Sequence, residues 1–344
     1  MAAEWEPHAA TWLVWPHKRS DWPGKLAPIH WVYGEIIRKI TPGEIVRLLV
    51  PSREHEGVAR CALTRAGVDL ARVQFHRVPT DRGWTRDMGP AFLRGGGPKP
   101  EVALVRFRFN GWAKYPDWKK DDRVPLWASK RFRHRTFVAK VGDREVVLEG
   151  GSIDANGRGT ILTTEECLLH PTIQVRNPGF GAAEWEQVFR DQLNAPNTIW
   201  LGRGIEGDDT HGHVDDLARF VSPRTIVLCT ESDPRDENAR VLAVNRERFE
   251  DARLEDGSKP EIVDLPMPKP LYFDGRRLPA SYANFYISNA AVLVPTFNDE
   301  NDRRALGILG ELIPDRPVVG IHAVDLVWGL GTIHCLTREE PAAR

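Results

Sequence analysis

Short apolar runs bounded by polar or turn-forming residues dominate the chain, and they predict strands. These runs are Ile45–Val50, Val73–Val78, Ala103–Phe109, Val146–Leu148, Thr160–Leu162, Thr198–Leu201, Thr225–Cys229, Ala291–Val294 and Val318–His322. Apolar residues spaced by three or four predict helices over His30–Ile40, Arg53–Ala66, Ala182–Leu193 and Asn301–Leu312. Strands that alternate with helices indicate an α/β fold, and the GGGPKP segment at 95–100 predicts a turn.

Polar residues recur beside these strands at intervals of roughly 60 residues. The segments WTRDMGP, LEGGSID, GHVDD, SYANFY and GTIHC carry, in that order, Asp87, Glu149, His213, Asn284 and Cys335. In three of the segments a short turn and an apolar strand follow the polar residue. Five such units, each directing a polar residue towards one axis, predict a closed, propeller-like ring with a central site.

The GHVDD segment is the first candidate for chemistry. If it is extended, His213 and Asp215 face the same side, because residues two apart in a strand share a face. A carboxylate beside an imidazole favours the charged ring and suits a proton shuttle. His211 continues the same spacing, so a metal-dependent hydrolase that uses His211, His213 and Asp215 is the alternative. The sequence shows no second ligand motif to complete such a site.

A cysteine near the C-terminus is the candidate nucleophile. Cys335 follows the glycines of WGLGTIHC, which allow the backbone to approach a ligand closely. A cysteine paired with a histidine distant in sequence is the pattern expected for covalent catalysis. Cys61, Cys167 and Cys229 are expected to be buried and inert.

Acidic residues at strand ends complete the candidate site. Asp87 and Glu149 both lie beside glycine or proline turns. Several carboxylates in one pocket repel one another unless a cation joins them. A guanidinium offers planar donors that match carboxylates in pairs. Cysteine, histidine and acids together therefore point to a guanidine carbon as the electrophile.

Composition narrows the function further. The 344 residues carry 47 basic and 48 acidic side chains, and this balance argues against a nucleic-acid binder. The basic run KRFRHR at 130–135 is expected to be a solvated surface strand.

No apolar stretch is long enough to cross a membrane, and the N-terminus has no apolar signal core. The four scattered cysteines indicate a reduced, cytoplasmic protein. Five tryptophans within the first 31 residues are expected mainly to pack.

Several motifs together resemble those of the agmatine deiminases, in the guanidine-modifying pentein superfamily that includes the Porphyromonas-type peptidylarginine deiminases. The resemblance runs from end to end of the chain. The matching segments are EWEPHAATWLVWP at 4–16, WTRDMGP at 84–90, EGGSID at 149–154, GDDTHGHVDD at 207–216, SYANFYISNAAVLVPTFND at 281–299 and WGLGTIHCLT at 328–337.

The resemblance implies a five-bladed α/β propeller of ββαβ units, formed as a single catalytic domain over residues 1–344. It implies hydrolysis of agmatine to N-carbamoylputrescine and ammonia, a step towards putrescine, without metal or cofactor. By motif it makes Cys335 the nucleophile, His213 the acid and base, and Glu149 the supporting acid. It makes Asp87 and Asp215 the guanidinium clamp. The partner would be a small cationic guanidine, not nucleic acid or membrane, with a homo-oligomer left open.

The sequence departs from the family pattern around the thiol. Leu330 and Thr332 stand where the family usually has glycine and asparagine, and Arg338, Glu339 and Glu340 replace the usual glutamines. His211 occupies a variable position, so it is not assigned a catalytic role. Trp84 is expected to line the aliphatic chain of the substrate, and Asp208 is a weaker candidate for its far charge. Arginine or peptidyl-arginine deimination, amidino transfer and simple cation binding remain alternatives.

Overall fold

The structure is a computed structural model, and it describes residues 1–95 and 101–343. The predicted turn at 95–100 therefore lies almost entirely outside the described residues. The strands are β1 His8–Val14, β2 Ile45–Val50, β3 Val73–Arg77, β4 Ala91–Arg94, β5 Val102–Arg106, β6 Arg135–Val138, β7 Lys140–Val141, β8 Arg144–Glu145, β9 Ile153–Ala155, β10 Thr160–Thr164, β11 Asn197–Leu201, β12 Ala218–Phe220, β13 Thr225–Thr230, β14 Glu261–Pro266, β15 Tyr272–Phe273, β16 Arg276–Arg277, β17 Tyr286–Ile287, β18 Val292–Thr296, β19 Val318–His322 and β20 Arg338–Pro341.

Nine α-helices occur in the described part of the chain. They are α1 Leu26–Ile40, α2 Arg53–Arg65, α3 Thr85–Met88, α4 Val124–Phe132, α5 Glu165–Leu169, α6 Ala182–Leu193, α7 Glu237–Arg248, α8 Asn301–Leu312 and α9 Ile333–Leu336. Short 3₁₀ turns are also present, and two of them, Gly150–Ser152 and Val214–Asp216, lie in the candidate site.

Five sheets repeat one arrangement. In each sheet a short leading strand pairs antiparallel with a longer strand, which pairs parallel with the strand that follows a helix. The sheets are β4–β5–β6, β9–β10–β11, β12–β13–β14, β17–β18–β19 and β20–β1–β2–β3. In the last of these, the C-terminal β20 lies beside the N-terminal β1, so the two ends of the chain join one sheet.

The helices cover these sheets because each has one apolar stripe. In α6, Trp185, Val188 and Phe189 are buried while the opposite face is charged, as the sequence pattern predicted. This helix ends at Asn194, whose φ of 53° is the left-handed conformation typical of a helix C-terminus. Its crossover places β11 parallel to β10.

The sequence predictions for the elements were largely confirmed. Helix α8 and the strands β2 and β19 have the predicted bounds. The strand expected at Val146–Leu148 was wrong, because only Val147 pairs there, in a single bridge to Arg108. The basic run at 130–135 carries exposed charges, but it spans the end of α4, and a strand begins only at Arg135.

The N-terminal tryptophans also follow the expectation, with one exception. Trp12, Trp15 and Trp22 are fully buried, whereas Trp31 is 57% exposed. Of the helices in the described ranges, none is both long enough and apolar enough to cross a membrane.

Candidate active site

Each of the five sheets presents one polar residue just before its short leading strand. These residues are Asp87, Glu149, His213, Asn284 and Cys335, the same five that the sequence repeat picked out. All five side chains are buried. Asp87 lies in α3 and Cys335 in α9, and contacts between these two short helices bring them together.

The thiol of Cys335 lies among polar groups, of which Asn284 belongs to the repeat whereas Asp215 and Asp216 do not. Asn284 donates a side-chain N–H to Cys335 Sγ at 3.2 Å, and Asp215 Oδ2 lies 3.8 Å from the same sulfur. Asn284 also donates to Asp216 at 2.9 Å. Burial and the charges of Asp215 and Asp216 raise the pKa of the Cys335 thiol well above its ordinary value.

The sequence argument for His213 was right about proximity and wrong about its cause. His213 is followed by the 3₁₀ turn Val214–Asp216, not by a strand, so it does not share a strand face with Asp215. His213 Nδ1 still lies 3.8 Å from Asp87 and 4.0 Å from Asp215, and Nε2 lies 3.8 Å from Glu149. Burial opposes the charged ring, but the Asp87 and Glu149 carboxylates raise the pKa of His213 well above its ordinary value.

Asp87 and Glu149 are two carboxylates in very different environments. Asp87 accepts the Trp112 indole N–H at 2.8 Å, and burial and nearby acids raise its pKa to about 6. Glu149 lies 3.2 and 3.3 Å from Arg176 Nε. Burial opposes ionisation of Glu149, but the Arg176 guanidinium and then His213 lower its pKa to about 2. Arg176, which sequence reasoning missed, therefore keeps Glu149 charged.

Gly151 is packed closely against the site. A Cβ there would lie 2.6 Å from His213 Nδ1, 2.9 Å from Asp87 Oδ1 and 3.1 Å from Asp215 Oδ2. The ring nitrogen and the two carboxylate oxygens thus approach the backbone so closely that only glycine fits at this position. Glycine was noted in the sequence as a turn former, but its close-approach role there could not be seen.

Asp215 has its own support, which the sequence analysis missed. Its Oδ2 lies 2.6 Å from His334 Nδ1, and this hydrogen bond lowers the pKa of Asp215 although burial opposes it. His334 Nε2 in turn lies 2.8 Å from Glu4 Oε2. Glu4 also pairs with Arg86 at 3.0 Å and Arg219 at 2.9 Å. The only signal in the sequence was that Glu4, Arg86 and His334 belong to the quoted motifs, whereas Arg219 lies outside them.

A cavity of about 400 Å³ leads to the thiol. Trp84, Trp112, Tyr115, Phe273 and Trp328 provide its aromatic walls, and Asp87 and Cys335 also line it. Trp84 thus lines the cavity, and its contact with the aliphatic chain of a substrate stays a prediction.

Asp208 does not line this cavity. Its Oδ1 accepts the N–H and hydroxyl of Thr210, and its Oδ2 accepts the N–H groups of Gly212 and His213. The suggestion that Asp208 faces the far charge of a ligand was therefore wrong, because both oxygens hold the loop that carries His213.

The alternative metal site is also contradicted. His211 has a φ of 65° and turns away to Glu166, whose Oε1 lies 3.6 Å from His211 Nδ1. Two other groups of described residues bring possible ligand atoms within 4.8 Å of one another. The first group is Glu149, Cys167 and His213, and the second is Asp215, Asp216 and Cys335.

The expected burial of Cys61 was wrong, because this residue is exposed.

The residues that depart from the family pattern have clear contacts. Thr332 donates its hydroxyl to Asn284 at 2.8 Å, and so helps to hold the amide beside the thiol. Leu330 has a φ of 70°, a conformation that favours glycine, and it lines the cavity. Glu339 pairs with Arg86 at 2.6 Å. Glu340 pairs with Arg47 at 2.7 Å.

Comparison with known proteins places these features in a family. A family model described as Porphyromonas-type peptidyl-arginine deiminase matches residues 1–341. The agmatine deiminase of Pseudomonas aeruginosa (strain LESB58) is 34% identical, with 100% of this chain and 96% of the relative covered. The structure of the agmatine deiminase of Enterococcus faecalis has a TM-score of 0.89 at 29% identity. The alignment covers 100% of this chain and 96% of that one. The substrate-bound structure of C. jejuni agmatine deiminase has a TM-score of 0.86 at 30% identity. The alignment covers 98% of this chain and 95% of that one.

Proposed function

Because the chain belongs to the Porphyromonas-type peptidyl-arginine deiminase family, we propose that it hydrolyses the guanidine group of agmatine. The single observation that carries this proposal is the grouping of His213, Asp87 and Asp215 beside the Cys335 thiol, at a cavity that Asp87 and Cys335 line. That arrangement fits a flat cation with a reactive carbon at its centre. Relatives named agmatine deiminase support this choice of substrate.

The carboxylates would hold the guanidinium by its nitrogens. Asp87 lines the cavity with Cys335, and Asp215 Oδ2 lies 3.8 Å from the Cys335 sulfur. Paired carboxylate–guanidinium hydrogen bonds to these acids would fix orientation as well as charge. Orientation of this kind lowers the barrier, because the carbon is already within reach of the sulfur. The bound cation also lowers the pKa of Cys335, which the same acids raise in its absence. The thiol proton then leaves to solvent.

In the first half-reaction the Cys335 thiolate forms a bond to the guanidine carbon. The charged His213 ring donates its Nδ1 proton to one terminal nitrogen, the bond from carbon to that nitrogen breaks, and ammonia leaves. A cationic thiouronium remains on Cys335, held by Asp87 and Asp215. Glu149 stabilises the histidine ring from the Nε2 side, where it lies 3.8 Å away.

In the second half-reaction the now neutral His213 takes a proton from water, and the oxygen bonds to the thiouronium carbon. The carbon–sulfur bond then breaks and returns its electron pair to Cys335. The hydroxyl proton of the product passes to solvent, which leaves the neutral ureido group of N-carbamoylputrescine. The cycle thus consumes one water and releases one ammonia, and it needs no cofactor.

The charge of the cavity favours agmatine over arginine. Four carboxylates line it, those of Asp21, Asp87, Asp209 and Asp274, against the guanidinium groups of Arg82 and Arg276. Both guanidinium groups already have acidic partners, Asp21 for Arg82 and Asp209 for Arg276. The excess of acids suits a substrate with a second amine and disfavours one with a carboxylate.

The proposal includes the architecture of the chain. The five sheets of shared topology, each with a polar residue ahead of its leading strand, support a five-bladed propeller that forms one catalytic domain over residues 1–344. All four cysteines are free, and this agrees with a reducing, cytoplasmic location.

The test is direct. The purified protein is incubated with agmatine, and ammonia and N-carbamoylputrescine are measured, with Cys335→Ala as the matched control. We expect equal amounts of both products from the native protein and neither from the variant. Ammonia from arginine or an arginyl peptide but not from agmatine would move the proposal to those substrates. Transfer of the amidino group to an added amine without ammonia would identify an amidinotransferase.

A further inference from the structure

Cys167 lies behind His213 and takes no part in the proposed steps. Its side chain is buried, and its sulfur lies within 4.8 Å of a ring nitrogen of His213 and an oxygen of Glu149. The residue belongs to the short helix α5, and its backbone N–H is accepted by Thr164 Oγ1 at 3.1 Å. A free thiol thus lies close to both the proton-transfer group and the carboxylate that stabilises it.

The ring of His213 lacks the hydrogen bonds that would fix it. Within residues 1–95 and 101–343, neither ring nitrogen has a hydrogen-bond partner, although the ring is fully buried. The acids around it lie 3.8 to 4.0 Å away, beyond the 2.7–3.2 Å of an N–H hydrogen bond. Its orientation must therefore depend on the groups packed against it, and Cys167 is one of them.

Helix α5 is tied to the loop that carries His213. Thr164, which caps this helix, donates its hydroxyl to the Gly212 carbonyl at 2.5 Å. Glu166 accepts the Gly204 N–H at 2.7 Å and lies 3.6 Å from His211. Two neighbours of Cys167 thus hold the same loop from one side, so the thiol and the imidazole keep a fixed relation.

We propose that Cys167 is a positioning residue for His213: its sulfur supports the ring from the Glu149 side and keeps Nδ1 turned towards Asp87 and Asp215. The inference rests on the proposed role of His213. The titratable and charged groups that face this ring are Asp87, Glu149, Asp215 and Cys167. Burial lowers the pKa of the ring, whereas Asp87, Cys167 and Glu149 raise it, so the sulfur also helps to keep the ring charged.

The experiment compares Cys167→Ala, which removes the sulfur, with Cys167→Ser, which keeps a small polar acceptor. For Cys167→Ala we expect kcat for agmatine to fall about tenfold or more with KM little changed, because a displaced ring slows proton transfer rather than binding. The charged ring is the acid, so activity is lost as pH rises through its pKa. The alkaline limb of the kcat/KM profile should therefore move to lower pH. Cys167→Ser should restore most of the lost kcat and should return the alkaline limb most of the way to its native position.

Cys229→Ala is the matched control, since that thiol is also buried but bonds to Ser281. The alanine variants should lose similar thermal stability, and only Cys167→Ala should change the pH profile. An unchanged profile in Cys167→Ala, or equal losses in its serine variant, would overturn the inference. An inactive native protein would instead refute the proposed function. In that case, nitrogen NMR titration of the His213 ring in the native and Cys167→Ala proteins still tests the contact.

Discussion

Replacing Glu4 by glutamine should destabilise the protein far more than its position near the N-terminus suggests. Glu4 is 7% exposed, and its carboxylate meets Arg86, Arg219 and His334 at 2.8 to 3.0 Å. It also accepts the backbone N–H of Ile287 at 2.9 Å. Glutamine has nearly the same shape, so the substitution removes a charge and leaves the volume.

The magnitude follows from what remains after the change. Arg86 keeps Glu339 at 2.6 Å, and Arg219 keeps Asp154 at 3.0 Å, so neither guanidinium is left without a partner. The amide nitrogen, however, must face donors where an oxygen accepted before. Breaking a buried charge pair costs about 3–5 kcal/mol when a charge is left uncompensated, and the remaining partners of Arg86 and Arg219 place this change at the lower end, about 3 kcal/mol. We expect the free energy of unfolding to fall by that amount near neutral pH.

Denaturant unfolding of Glu4→Gln and of Glu56→Gln measures the difference. Glu56 also meets two arginines, Arg60 at 2.9 Å and Arg77 at 2.7 Å, but both arginines are about half exposed. A surface network of this kind contributes at most about 1 kcal/mol. Equal losses in the two variants would refute the argument that burial decides the value of the Glu4 network.

The same comparison has a pH dependence with a fixed sign. Despite its burial, the cations around Glu4 lower its pKa well below the ordinary value. The stability that its ionisation contributes is therefore present above the unfolded pKa of about 4.3 and is lost as pH falls through the folded pKa. The difference in the free energy of unfolding between the native protein and Glu4→Gln should stay constant near neutral pH and become smaller in acid. A difference that became larger in acid would contradict this assignment.

Other predictions test the site itself. Gly151→Ala should reduce kcat/KM at least about 100-fold while the protein stays folded by circular dichroism, because the added Cβ would displace His213 and Asp87. Trp112→Phe removes the N–H that Asp87 accepts, so the pKa of Asp87, about 6, should rise by about one unit. The acid limb of the kcat/KM profile should then move to higher pH. Arg176→Met removes the guanidinium that pairs with the buried Glu149 and leaves His213 as its more distant cation, so denaturant unfolding should show a loss of about 3 kcal/mol.

The sequence predicted those parts of the molecule that depend on local pattern. The α8 bounds, the five polar positions and the pairing of short turns with apolar strands all follow from periodicity and turn residues near in sequence. Helix α7 at Glu237–Arg248 was missed because its exposed face is so polar that the apolar stripe is reduced to a few residues, among them Val241 and Leu242. The strand reading of GHVDD failed because a 3₁₀ turn can also bring residues two apart into proximity.

The supporting charges could not be predicted in this way, because their partners are distant in sequence. Glu4 and His334 are 330 positions apart, and their contact exists only because β20 returns to pair with β1. The short helix α9, which directly precedes β20, thus carries the thiol of Cys335 and also the histidine that supports Asp215. Loss of the β1–β20 pairing should therefore disable the nucleophile and the clamp together. A variant truncated before β20 would lose activity even with Cys335 retained, whereas full activity in such a variant would show that the two are independent.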